Sequence, residues 1–134
     1  MIIENETLTN AASVWTISNK VKDLLSNGVD GGTFSLNGER AESTGYMVSI
    51  RGQEKIVTPE FILESGYQPV ANFLFENEEL LSNDNHFFGF WSCSGKVYLD
   101  VSVNIEDIDD ARQFGFDNQQ LAIWDLANME EITL

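Results

Sequence analysis

The chain has 134 residues, of which 43% are hydrophobic, and its 22 acidic and 7 basic side chains give a formal net charge of −15. This length and apolar content predict a single folded domain over residues 1–134. The charge argues against direct contact with nucleic acid or an anionic membrane surface, because both are bound through lysine and arginine.

The amino-terminal sequence and the cysteine content point to the cytoplasm. Met1-Ile2-Ile3 meets Glu4 at once, so no signal peptide is predicted, and no apolar run reaches the length of a membrane span. The single cysteine, Cys93, excludes an intramolecular disulfide framework and a cysteine-rich zinc site. We therefore expect a cytoplasmic protein without membrane segments.

The first half of the chain predicts one helix and two strands. Apolar residues recur at helical spacing from Val14 to Leu24. Residues 33–36 and 45–50 have the composition of strands, and an Asn-Gly turn signal lies between them at 37–38. We expect these two strands to be antiparallel.

A second helix is predicted over residues 68–82. Its apolar stripe runs from Val70 to Leu81 at helical spacing. Phe75 lies off this stripe, which indicates a second packing contact for its ring.

Residues 86–104 are predicted to form a β-hairpin with the two-residue loop Ser94-Gly95. In that register Cys93 pairs with Lys96 and Gly89 pairs with Asp100. Because side chains alternate between the two faces of a strand, one face of the hairpin is entirely apolar. Its residues are Phe88, Phe90, Val97, Leu99, Val101 and Val103.

The rest of the chain predicts a short helix with Ile105, Ile108 and Arg112 on one side that ends at Gly115, a strand over residues 121–124, and further structure in the tail. Together these elements predict an α+β fold. We expect an antiparallel sheet of about five strands, centred on the hairpin, with two or three helices packed on it.

No group of residues identifies a reaction. The only cysteine and the only histidine, Cys93 and His86, fall on one predicted strand, where seven steps of about 3.3 Å separate them by roughly 23 Å. That is too far for a nucleophile and its base. Neither a serine nucleophile elbow nor a phosphate-binding loop is found. We expect no enzyme, no catalytic residue and no cofactor.

The acidic run at residues 106–110 has the composition of a cation site. It lacks the glycine and the glutamate that a calcium-binding loop carries at its sixth and twelfth positions. A solvated acidic helix face, favoured near the positive end of the helix dipole, is the preferred interpretation. No metal site is predicted.

The second face of the predicted hairpin mixes aromatic and polar side chains. It presents Trp91 and Tyr98 beside Asp100. Such a face usually packs beneath a helix, and that is the preferred interpretation. The alternative is a ligand-binding patch with an aromatic floor.

Carboxylates concentrate in the second half of the chain, where residues 71–134 hold 13 acids and 2 bases. An acidic helix face can compete for a groove built to hold phosphates, because its carboxylates stand about 5–6 Å apart. The alternative is that the charge only keeps the protein soluble. The predicted partner-binding residues are Glu76, Glu78, Glu79, Glu106, Asp107, Asp109 and Asp110.

The resemblance of this chain to known proteins rests on Phe88-Gly89-Phe90-Trp91, on the runs 95–102 and 118–125 with Ala111, and on the runs 32–36 and 45–48. These segments resemble small acidic proteins encoded by phages and mobile elements. In charge the chain is also similar to DNA-mimicking anti-restriction and anti-CRISPR proteins. The resemblance carries no catalytic motif and transfers no site residue. It implies a setting in the host cytoplasm where small proteins bind and disable a defence nuclease.

We therefore expect a non-enzymatic phage or mobile-element inhibitor whose acidic patches block a basic, nucleic-acid-binding surface of a host nuclease or defence complex. One alternative is a small-molecule-binding or enzymatic module with its site at Trp91, Tyr98 and Asp100. A further alternative is a homodimeric assembly domain whose exposed aromatic surface includes Phe75.

Overall fold

The computed structural model describes residues 5–7, 14–36, 44–65 and 68–134. Within these ranges the chain forms eight strands and five helices. The strands are β1 (Asn5–Thr7), β2 (Gly31–Phe34), β3 (Tyr46–Ser49), β4 (Lys55–Val57), β5 (His86–Cys93), β6 (Lys96–Ile105), β7 (Ala122–Asp125) and β8 (Glu130–Thr133). The helices are α1 (Val14–Ser26), α2 (Pro59–Glu64), α3 (Gln68–Glu76), α4 (Glu78–Leu81) and α5 (Ile108–Asp117).

All eight strands belong to one sheet with the order β1-β2-β5-β6-β3-β7-β8, and β4 also pairs with β6. β1 runs parallel to β2, and every other pairing is antiparallel. The predicted α+β class with an antiparallel sheet is confirmed. The predicted counts of about five strands and two or three helices were too low, because strands of three or four residues and a helical turn of four residues leave little periodic signal.

The β5–β6 hairpin at the centre of the sheet has the predicted register. Cys93 pairs with Lys96 and Gly89 with Asp100, around a loop of Ser94 and Gly95. Both loop residues have positive φ, 53° and 77°. This is the backbone of a type I′ turn, whose twist matches that of the strands it joins.

The opposite edge of β6 is shared by β3 and β4. Ser49 at the end of β3 lies opposite Ser102, and Lys55 at the start of β4 lies opposite Leu99. The five residues from 50 to 54 therefore face only two residues of β6. Such a bulge bends the strand away from the ladder, and it leaves room beside Asp100.

The helices pack on one face of the sheet. The larger core cluster joins Phe88, Leu99 and Val101 to buried side chains of α1, α2, α3 and α4. A smaller cluster joins Val48 of β3 to Ala111 of α5. Val48 lies opposite Val103, which shares a face with Val101 because strand side chains alternate. Both clusters therefore lie on the same face.

Some local predictions were wrong. The strands predicted near 33–36 and 45–50 both exist but are not neighbours, because β5 and β6 lie between them. The helix predicted over 68–82 is divided at Asn77 into α3 and α4. Gly115 lies inside α5, where an added Cβ would stand 2.5 Å from Leu134 Cδ1. Its lack of a side chain serves close packing rather than helix termination.

Phe75 makes an aromatic contact with α1, as its position off the stripe indicated. Its ring meets Trp15 of α1 edge-on, with centroids 5.7 Å apart. The contact does not bury either ring, since Phe75 is 48% exposed and Trp15 is 49% exposed.

Candidate functional site

The face of the sheet opposite the two core clusters carries a cavity of about 470 Å³. Each of the five described helices contributes buried side chains to a cluster on the other face. The interpretation that the second hairpin face packs beneath a helix was therefore wrong for the part of the chain that the structure describes. The volume falls in the range of sites that hold small molecules.

Asp100 lies at the floor of this cavity and is 8% exposed. Ser49 Oγ donates a hydrogen bond to Asp100 Oδ2 at 2.6 Å, and Ser102 Oγ approaches Oδ1 at 3.5 Å. The first of these is short and directed at a carboxylate, as expected of a strong charge-assisted bond. β3 positions Ser49 by pairing it with Ser102, two residues along β6 from Asp100.

Burial raises the pKa of Asp100 to about 6. The hydrogen bonds from Ser49 and Ser102 oppose this shift, and the nearby negative charge of Glu54 adds to it. A carboxyl group with this pKa changes its charge within one unit of neutral pH, so it can either release a proton or take up a cation at physiological pH.

Gly89 permits the position of the Asp100 carboxyl group. The two residues are paired across the hairpin, and a Cβ on Gly89 would stand 2.7 Å from Asp100 Oδ1. Any larger residue at position 89 would displace the carboxyl group. The close approach explains why this strand tolerates a glycine, which otherwise weakens a strand interior.

Aromatic side chains form two sides of the cavity. Trp91 comes from β5 and Trp124 from β7. Tyr98 stacks on Trp91 with ring centroids 4.5 Å apart and planes 15° apart. Tyr98 supports the Trp91 ring without lining the cavity itself. Of the three residues that the sequence proposed as a ligand face, Trp91 and Asp100 thus meet in the cavity.

The indole nitrogen of Trp124 is buried and has no hydrogen-bond acceptor among the described residues. A buried donor without a partner costs about 1–3 kcal/mol of stability. Buried groups of this kind are rare in folded proteins and call for a local explanation. Here the orphan donor belongs to a residue that lines the cavity.

The cavity lining is acidic. Glu54 and Glu131 lie at its exposed rim and Asp100 at its floor, while none of the lining side chains that the structure describes is lysine, arginine or histidine. Residues 119–121, which follow α5, complete the rim, and Leu121 among them is 86% exposed. The site therefore combines negative charge with apolar surface.

Sequence reasoning missed Ser49, Glu54, Trp124 and Glu131. These residues come from β3, the bulge after it, β7 and β8, and they join Asp100 in one cavity only because β3 pairs beside β6 and β7 beside β3. The alternating pattern could find residues on the hairpin itself. It contains no signal for which strands lie next to the hairpin.

His86 and Cys93 lie at the two ends of β5. His86 Nδ1 lies 2.7 Å from the backbone oxygen of Asp84, and Cys93 Sγ lies 3.6 Å from Ser94 Oγ. Neither residue lines the cavity. The two do not form a nucleophile and base pair in this strand.

All seven acidic residues predicted to bind a partner are exposed. They lie on two segments, from Glu76 to Glu79 across the α3–α4 junction and from Glu106 to Asp110 at the start of α5. The backbone nitrogen of Asn104 donates to the oxygen of Asn85 at 2.9 Å. This bond joins the loop after α4 to the end of β6, so both segments meet the hairpin at the same end.

Three of these acids also make local contacts. Asp107 Oδ1 accepts a hydrogen bond from Asp110 N at 2.9 Å and so caps α5. Thr44 Oγ1 donates to Glu106 at 3.1 Å. Lys55 Nζ lies 3.8 Å from Glu76, in an exposed ion pair of the kind that contributes little to stability.

Among the described residues, no group of three or more histidine, cysteine, aspartate or glutamate side chains is arranged to hold a metal ion. None of the helices over residues 14–36, 44–65 and 68–134 is long and apolar enough to cross a membrane. Comparison with protein-family models, with curated proteins and with solved structures finds no match for the chain.

Proposed function

We propose that this protein is a small-molecule-binding module whose ligand occupies the cavity above Asp100. The observation that carries the proposal is a carboxyl group with a raised pKa, held at the floor of a cavity with aromatic sides. Ligand sites typically combine concave apolar surface with a few fixed polar groups. We assign no catalytic residue, and the proposed role is binding.

A fragment screen tests this proposal. Small molecules of varied charge are tested for their effect on the melting temperature of the wild-type protein and of Ala122→Phe. Ala122 lines the cavity on β7, and a phenyl ring there fills part of the space while suiting a strand. We expect ligands that stabilise the wild type and not the variant. Ligands that stabilise both proteins equally, or an absence of ligands, would contradict the proposal.

Phosphate mimicry by the acidic segments is the second candidate function. It is favoured by the exposure of all seven carboxylates and by the Asn85–Asn104 bond, which brings both segments to one end of the hairpin. In this proposal the chain is a phage or mobile-element inhibitor that blocks the basic surface of a host nucleic-acid-binding protein. Its affinity would rest on electrostatic attraction and would fall with added salt.

Reversing the charge of the two acidic segments distinguishes phosphate mimicry from ligand binding in the cavity. The variant replaces Glu78, Glu79, Asp109 and Asp110 by lysine and keeps Asp107, because Asp107 caps α5. Partners captured from bacterial lysate at low salt should be lost by the variant, while fragment binding in the cavity should be unchanged. Capture of the same proteins by both versions would contradict mimicry.

A homodimeric assembly domain is the third candidate, supported by the exposed pair of Trp15 and Phe75. Two such rings on one helical surface can bury apolar area against a second copy. Light scattering of the wild type and of Phe75→Ser tests it. A dimer that becomes a monomer in the variant would support assembly, and a monomeric wild type would exclude it at the concentration measured.

A further inference from the structure

We propose that the ligand of the cavity is a small organic ammonium ion, whose charged nitrogen lies over Asp100 and whose apolar part lies against Trp91. This inference rests on the proposed binding function and names its ligand class. It stands on three properties of the site, which are its charge, the burial of its floor and the position of Trp91 beside that floor.

The first property is the one-sided charge of the lining. Asp100, Glu54 and Glu131 all present carboxyl groups, and among the described residues no cationic side chain lines the cavity to balance them. Like charges repel, and the negative charge of Glu54 helps to raise the pKa of Asp100. An anionic ligand would add to this repulsion, whereas a cationic ligand would relieve it.

The second property is the burial of Asp100. Taking a carboxylate out of water costs free energy that only an opposite charge or several hydrogen bonds can offset. The contacts that the structure gives its side chain are with Ser49 and Ser102, which are neutral. An ammonium group supplies both a charge and N–H donors, so it compensates the buried carboxylate more fully than a hydroxyl group does.

The third property is the position of Trp91 beside Asp100. Asp100 pairs with Gly89, and Trp91 lies two residues farther along β5 on the same face. Diagonal neighbours of this kind stand about 7–8 Å apart, within reach of long side chains. A molecule of one ring and a short arm fits this span, and tryptophan also attracts an organic cation through its ring face. The exposed Leu121 at the rim provides further apolar contact.

Calorimetric titration with three probes tests the ligand class. Tyramine, tyrosol and 4-hydroxyphenylacetate share a phenol ring and a two-carbon arm, and they carry one positive charge, no charge and one negative charge. At neutral pH and physiological salt we expect tyramine to bind about tenfold or more tightly than tyrosol, since hydrogen bonds to a charged group contribute about 1.5–3 kcal/mol. We expect no binding of 4-hydroxyphenylacetate.

Two variants test whether Asp100 causes the preference for tyramine over tyrosol. Asp100→Asn keeps the shape of the side chain and removes its charge, and we expect it to lose the preference for tyramine over tyrosol. Glu79→Gln makes the same change of net charge at an exposed position on α4 and should keep that preference. If both variants reduce tyramine binding equally, the attraction is a property of the overall charge of −15 and the inference is wrong.

The remaining outcomes separate this inference from the proposed function. If cavity-dependent ligands emerge from the fragment screen but tyramine fails to bind or binds no better than tyrosol, the ammonium class is wrong and the binding function stands. If the screen finds no cavity-dependent ligand and tyramine also fails to bind, both are wrong.

Discussion

Asp100 should set a pH dependence of stability. Its pKa is about 6 in the folded protein and 3.8 without the surrounding structure. The folded state therefore holds more protons between these values, so the free energy of unfolding falls as pH rises from about 4 to 6, by up to about 3 kcal/mol. We expect Asp100→Asn to lack this fall and to exceed the wild type in stability at pH 7.5, as measured by urea unfolding.

Asp125 provides the control for that experiment. Hydrogen bonds from Asn128 and from the backbone at 127 and 128 lower the pKa of its carboxyl group. The stability that it contributes is present above the unfolded pKa and is lost as pH falls below about 4. Asp125→Asn should therefore leave the change between pH 4 and 6 intact. An equal pH dependence of wild type and Asp100→Asn would contradict the role given to Asp100.

A substitution at Gly89 tests the close approach between this residue and the carboxyl group of Asp100. In Gly89→Ala the new methyl group competes with Asp100 Oδ1 for space. We expect a loss of about 1–3 kcal/mol of stability, as for other overpacked interiors, together with weaker ligand binding. In the background of Asp100→Ala the same substitution should cost much less, because no carboxyl group is left to displace. Equal costs in the two backgrounds, by urea unfolding, would contradict the contact.

At the start of α5, one acidic side chain stabilises the helix by capping it and another is exposed to solvent. Asp107 caps the helix through Asp110 N, whereas Asp109 is exposed in the first turn. We expect Asp107→Ala to cost about 1 kcal/mol and lower the melting temperature by a few degrees. Asp109→Ala should cost clearly less. Equal losses in thermal unfolding would show that the cap does not act as described.

The elements also show which parts of the fold the sequence could predict. The register of the hairpin was predictable from its loop, Ser94-Gly95. Five of the six residues of its predicted apolar face are buried in the larger core cluster, and the sixth, Val103, is partly buried. α2 begins with Thr58 as its cap and Pro59 at its first position, which is a signal that could have located it. β4, with three residues, carries too little pattern to be recognised.

At the scale of the whole molecule, the site depends on strand order, which the sequence pattern does not contain. Trp91 and Asp100 were proposed together because one hairpin places them on one face. Trp124 joins them only because β7 pairs with β3, through Met47 opposite Trp124. Such pairings between distant segments are decided by the packing of the whole sheet, so local periodicity cannot supply them.

The three tryptophans allow one measurement of where a ligand binds. Trp91 and Trp124 line the cavity, whereas Trp15 lies exposed on α1, whose buried side chains belong to the cluster on the other face of the sheet. In a nitrogen-15-labelled sample each indole gives its own N–H signal.

We would titrate tyramine and follow the three signals at neutral pH, with Asp100→Asn as the control. We expect the Trp91 signal to move while the Trp15 signal stays, with much smaller shifts in the variant. Movement of Trp15 alone, or of no indole signal, would contradict the claim that this face of the sheet is a binding site.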